Sequence, residues 1–296
     1  DCVRQVFESV RKYQPSELYL AADGPRPNRE GEADKCKEVR TWLTSHVDWP
    51  CNVHTRFLDE NVGCGQGPKQ AVDWFFSNEE MGVILEDDCV ADETFFPYCE
   101  QMLERYKEDT HISIVCGSNF DKNGECILPD SDYFFSVVPY TWGWATWRRN
   151  WLDYDYQMSG WLQSGQNRLL RYISDDVEHR NYWRYVFDRT AGNAPHDIWD
   201  YQFFYSCYRK RQMAIVPNRN LISNIGVGAD ATHSFGRAED RMALQRYSLC
   251  FPLRHPVRLE RNRKYDHLVL DCCYGRVPNP HWITRLKHWI KQQIKR

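Results

Sequence analysis

The chain predicts an α/β fold, a Rossmann-like and mostly parallel sheet with helices on both faces. Short apolar runs alternate with stretches of helical period through residues 1–120, at spacings that suit βαβ units better than hairpins. Polar segments also follow the apolar runs, at Asp23, at Asp59-Glu60-Asn61 and at Glu86-Asp87-Asp88. In such sheets the carboxyl ends of the strands line the ligand crevice.

The elements follow in order. A first helix runs to about Lys12, with Val3, Val6, Phe7 and Val10 on one face. A strand from Glu17 to Ala22, a charged helix from Glu32 to Ser45 and a strand from Asn52 to Leu58 come next. After a Gly-containing loop come a helix from Pro68 to Phe76, a strand from Gly82 to Leu85, a helix from Asp92 to Tyr106 and a strand from Ile112 to Cys116. A doubly wound sheet opens on a strand, so a first strand is expected ahead of residue 1 and is missing from this chain. Beyond Phe120 aromatic segments dominate, including Trp142-Gly143-Trp144-Ala145-Thr146-Trp147. Helices are expected at Arg168 to Ile173 and Asp176 to Asp188, and a strand at Met213 to Val216. With no linker or repeat, residues 1–120 and 121–280 read as two halves of one continuous domain.

Composition narrows the function classes. The 296 residues are 42% hydrophobic and 27% charged with a net charge of -3, which describes a globular chain without the basic field of a nucleic-acid partner. No apolar run approaches the ~18–20 residues that span a bilayer. The 12 cysteines include no CxxC pair and no zinc spacing. Their scatter through apolar segments, and the absence of any N-x-S/T acceptor, point to thiols in the cytoplasm; a Golgi-type lumen stays open as the second compartment. The segment 281–296 sets Ile283, Leu286, Ile290 and Ile294 on one helical face among Arg285, Lys287, Lys291, Lys295 and Arg296. That is a basic amphipathic helix, either docked on its own domain or lying peripherally on an anionic membrane.

Glu86-Asp87-Asp88, directly after Val83-Ile84-Leu85, is the sharpest feature. Three carboxylates at a buried strand end repel one another unless a cation compensates, and oxygen ligands suit Mn2+ or Mg2+. The alternative is that they solvate a loop and complement the helix starting near Asp92. Asp23 before Gly24-Pro25 reads as a nucleotide contact or as a turn aspartate. Asn61 with Gly63, Gly65 and Gly67 shapes a loop open to a ligand, without a P-loop signature. Asp197 and Asp200 read as cap residues, or Asp200 as a general base toward the metal. Ser223 and His233 lie in polar stretches after the 213–216 strand, with His233 a candidate phosphate contact or further metal ligand. Trp142, Trp144 and Trp199 have flat faces that suit a sugar wall.

These residues taken together resemble the metal-dependent GT-A glycosyltransferases, and most closely the N-acetylglucosaminyltransferase I family and its bacterial relatives. The likeness rests on Asp23-Gly24, the Asn61 loop, Leu85-Glu86-Asp87-Asp88 with the Phe-Phe helix behind it, GWATW at Gly143 to Trp147, and Trp199-Asp200, and it extends to about Gly236. It implies a GT-A fold with a nucleotide-sugar-binding half at 1–120 and an acceptor-binding half at 121–280. It further implies Asp88 as metal ligand, Glu86 and Asp87 at donor sugar and ribose, Asp23 at the base, Asn61 near the donor and Ser223 near the diphosphate. Asp200 would be the base of an inverting displacement. The expected partners are a nucleotide-diphosphate sugar, UDP-sugar favoured, and a glycan or lipid-linked glycan acceptor. Two other readings stand beside it, a nucleotidyltransferase on the same acidic site and a non-catalytic carbohydrate-binding protein.

Overall fold

The computed structural model describes residues 2–163, 165–192, 198–226 and 243–278. Asp197, His233 and the 281–296 segment, each singled out above, lie outside the described residues.

The chain opens with α1 (Cys2–Tyr13), β1 (Glu17–Ala22), α2 (Glu32–Ser45) and β2 (Asn52–Phe57). β1 and β2 pair in parallel from Glu17↔Asn52 to Ala22↔Phe57, with α2 as the crossover. Then come α3 (Gly63–Asn78), β3 (Met81–Ile84), β4 (Cys89–Ala91), α4 (Phe95–Arg105) and β5 (Ile112–Cys116). The second half contributes β6 (Tyr133–Ser136), β7 (Trp144–Trp147), α5 (Arg148–Trp151), α6 (Gln166–Ile173), α7 (Val177–Gly192) and α8 (Asp200–Arg209). β8 (Met213–Pro217), β9 (Ile222–Asn224), α9 (Arg263–Val269) and a π-turn (Leu270–Tyr274) complete the described elements.

The architecture is α/β, and its sheet is mixed rather than mostly parallel. The central sheet has the order β3-β7-β5-β8-β6, in which β5 and β8 are parallel while β7 and β6 run antiparallel to their neighbours. Thus β3, β5 and β8 share one direction and β7 and β6 the other. The sequence conceals this because a strand buried on both faces carries no polar alternation to betray its direction. β1-β2 and β4-β9 form separate two-stranded sheets.

Two hydrophobic cores flank the central sheet, and strand residues alternate between them. Ile114, Cys116, Phe134, Trp144, Ala214 and Val216 face the core shared with α3, α6, α7 and α8. Val115, Tyr133, Phe135, Ala145, Trp147 and Ile215 face the core built on α4. This period of two explains why β6 and β7 read only as aromatic-rich texture: both faces are apolar.

Two boundaries differ in an informative way. α3 begins at Gly63, so the glycine-containing stretch is the first turn of a helix and not an open ligand loop. α4 begins at Phe95, because Asp92 accepts the Thr94 amide at 2.9 Å and caps the helix from outside. The acids at 86–88 therefore do not sit at a helix start; β4 intervenes.

Phe203, fully buried, packs on Trp144 at 5.3 Å and on Trp151 at 5.4 Å between ring centroids. Phe203→Ala is expected to destabilise the fold by about 3–5 kcal/mol, read as a lower urea midpoint at unchanged m-value.

Candidate active site

β3 delivers Leu85 and then Glu86-Asp87-Asp88 at the carboxyl end of the central sheet. The Cys89 amide donates to the Glu86 carbonyl at 3.1 Å, which closes a tight turn into β4. β9 then locks the turn from the far side. Cys89 pairs with Asn224 and Val90 with Ser223, and the Ile225 amide donates to the Asp88 carbonyl at 2.8 Å. The Asn224 side-chain amide reaches Asp88 Oδ1 at 3.1 Å, and the Cys89 thiol donates to the same oxygen at 3.3 Å. Gly226 lies so close that a Cβ there would stand 2.1 Å from Asp88 Oδ2. No side chain fits between that backbone and the carboxylate.

Asp200 arrives from the other half of the chain, at the first position of α8, where its Oδ1 accepts the Tyr201 amide at 2.9 Å. Just before it, Trp199 comes near the Glu86 carboxylate and favours its charged form. Residues 114 positions apart thereby share one local field. Burial, and then Asp88, Asp200 and Asp87 in that order, push the Glu86 carboxyl up to about 8, with Trp199 acting in the opposite direction. Asp88 is also raised, chiefly by burial and further by Asp87, with the Cys89 and Asn224 hydrogen bonds acting against the shift. The Cys89 thiol, buried beside Glu86 and Asp88, is raised well above its ordinary value and stays protonated.

This donor set suits a hard divalent cation. One potential ligand atom each from Glu86, Asp88 and Cys89 lie within 4.8 Å of one another, two of them carboxylate oxygens. The protonated thiol serves Asp88 as a donor, which leaves the carboxylate oxygens of Glu86 and Asp88 as ligands. A cation would offset the burial penalty and the like-charge repulsion that together raise the Glu86 carboxyl. Asp87 is exposed beside them.

Other expected site residues take different positions. Asp23 accepts from the Gly24 amide at 2.8 Å, Val62 amide at 2.9 Å, Asn61 side chain at 2.9 Å and Gly63 amide at 3.0 Å. A carboxylate has about four acceptor sites, so these donors occupy it. Asp23 is a latch that ties the end of β1 to the N-terminus of α3, where its charge complements the helix dipole. Both hydrogens of the Asn61 amide serve the same latch, one on Asp23 and one on the Gly24 carbonyl at 3.1 Å. Neither geometry leaves these groups directed at a nucleotide.

Ser223 is half-buried opposite Val90, and strand alternation puts Asn224 rather than Ser223 at the acids. Trp144 is fully enclosed, and Trp199, 6% exposed, stacks on it at 5.6 Å. Neither offers a ring face, so the expected sugar wall is not made by these two. Trp142 keeps accessible surface, with Tyr140 edge-on at 5.0 Å. Asn224, Gly226 and Cys89 are neighbours of Asp88 that sequence reasoning did not single out. The Ser223-Asn224-Ile225-Gly226 stretch contained the signal, but choosing between Ser223 and Asn224 needs the β4-β9 register.

No protein-family model matches this chain, and no curated protein matches it.

Two outcomes test this geometry. Asp23→Ala orphans the amides of Val62 and Gly63, and is expected to lower stability by about 1–3 kcal/mol in urea unfolding. For Glu86, the carboxyl is neutral in both states below its ordinary value of 4.5, whereas between there and about 8 only the folded protein retains the proton. Stability of the cation-free protein should therefore fall as pH rises across that window, and level off above it. Glu86→Gln should flatten that decline when melting is followed in EDTA against pH.

Proposed function

We propose that this protein is a divalent-cation-dependent, inverting glycosyltransferase that moves a sugar from a nucleotide-diphosphate donor to a hydroxyl acceptor. The convergence of Glu86 and Asp88 at the end of β3 with Asp200 at the start of α8 carries this reading. A buried acid pair is suited to a cation, and a third carboxylate close by is suited to a proton. The resemblance of the acidic strand end and of Trp199-Asp200 to GT-A enzymes supports the same assignment.

In this reading Glu86 and Asp88 hold Mn2+ or Mg2+, whose charge, when bound, offsets that of the departing diphosphate. Asn224 and Cys89 fix the Asp88 rotamer through their hydrogen bonds to Oδ1. Asp200 accepts the proton of the acceptor hydroxyl as its oxygen forms the new bond to the anomeric carbon. The bond from that carbon to the diphosphate oxygen breaks on the opposite face, so the configuration inverts. Trp142 and Tyr140, half-buried near the Gly143 turn, flank the sugar. UDP is the favoured nucleotide, with a glycan as acceptor.

The test is a thermal-shift series with UDP-, GDP-, TDP- and CMP-sugars, with and without Mn2+, followed by product analysis. A stabilisation that needs both Mn2+ and one nucleotide, and that disappears in Asp88→Ala, is the expected result. Asp200→Asn should keep that shift while lowering kcat by roughly 10²–10⁴-fold. Release of pyrophosphate or nucleoside monophosphate instead of nucleoside diphosphate would replace sugar transfer by nucleotidyl transfer. Full turnover in folded Asp200→Asn would remove the assigned base.

A further inference from the structure

The end of α8 opposite Asp200 carries a second, oppositely charged feature. There Asn167, Arg168, Arg171 and Tyr172 of α6 and Arg211 after α8 line an open cavity of about 480 Å³. Arg211 precedes β8, whose direction matches that of β3, so the cavity lies at the amino edge of the sheet and the acidic crevice at the carboxyl edge.

Arg168, Arg171 and Arg211 are all exposed, and among the described residues none of the three guanidiniums has a carboxylate partner. The nearby buried acid is already engaged, since Asp266 takes the Arg261 guanidinium at 2.7 Å. Arg168 and Arg171 stand three apart on α6, on one face of the helix. Arg211 comes to them from a different element. It holds a left-handed backbone, φ 56°, at the position where a helix end normally takes glycine. The Gln212 amide bonds to Cys207 at 3.1 Å and the Arg211 amide to Tyr208 at 3.0 Å, which fixes that terminus and with it the origin of the side chain. The Tyr172 hydroxyl donates to the Gln212 carbonyl at 3.1 Å and pins α6 to the same turn. The Asn167 carbonyl oxygen is occupied by Arg184 at 2.7 Å, leaving its amide hydrogens as donors.

We propose that this cavity binds a phosphate monoester. Three guanidinium forks around a concavity match a tetrahedral oxyanion with several oxygens to share, whereas a carboxylate saturates one fork or two. A polynucleotide would ask for a stripe of charge along a groove, and the cavity is instead the size of one headgroup or one phosphorylated sugar. The ester can come from a soluble phosphate compound or from a phospholipid headgroup. The site stands apart from the acidic crevice and does not depend on the reaction proposed there.

The test is calorimetric titration of the full chain with inorganic phosphate in EDTA, beside sedimentation with phosphatidylcholine vesicles with and without phosphatidic acid. Binding should weaken about tenfold or more in Arg168→Gln/Arg171→Gln, as expected for losing charge-assisted hydrogen bonds. It should weaken also in Arg211→Gly, whose melting temperature should hold or rise because glycine suits the left-handed turn. That variant separates loss of the cation from loss of the fold. Arginine-dependent sedimentation with phosphatidic acid assigns the headgroup source, and phosphate binding without it assigns a soluble one. Absence of both kinds of binding, or binding undiminished in either variant, overturns the proposal.

Discussion

Electrostatic repulsion among desolvated carboxylates is the constraint around which the rest of this structure is arranged. Glu86 lies in the fields of Asp88, Asp200 and Asp87, with its own carboxyl largely removed from the water that would screen them. Such a cluster persists only if its surroundings hold it firmly and if a proton or a cation is available to offset it. In this protein burial and the neighbouring carboxylates favour the protonated form of Glu86, and the function proposed above has a divalent cation take the place of that proton.

The holding is done by β-structure and by aromatic packing. β4 and β9 bracket the acids with backbone bonds, Gly226 leaves room for Asp88, and Trp199 lies beside Glu86. Behind Trp199 stands a stack of buried rings, Trp144, Trp151 and Phe203, whose size fixes where the start of α8 can lie. The tryptophans are thus more important as the rigid backing of Asp200 than as a ligand surface. Just past the other end of the same helix Arg211 lines a basic cavity, so one element of about 15 Å separates two charged clusters of opposite sign.

Much of the framework was legible in the residues themselves. The alternation of β1, α2, β2, α3, β3, α4 and β5 followed from apolar runs and helical period, a pattern that records which side of an element is the less exposed. The acidic strand end was legible because three adjacent carboxylates after an apolar run are costly in any fold. Asp200 was identifiable only as one of two roles, cap or base, and in the structure it occupies the first turn of α8 while also lying in the field of Glu86.

What the tertiary structure alone decided was direction, register and partnership. β6 and β7 are apolar on both faces, so nothing local states that they run against β3, β5 and β8. The β4-β9 register makes Asn224 rather than Ser223 the partner of Asp88, since a shift of one residue exchanges the two faces of a strand. Asp23 became a latch because amides 39 and 40 residues away folded onto it, and a carboxylate with filled acceptor sites has none to spare. Local composition determines which groups must be compensated; only the packed chain determines which neighbour compensates them, because that depends on contacts between residues far apart in sequence.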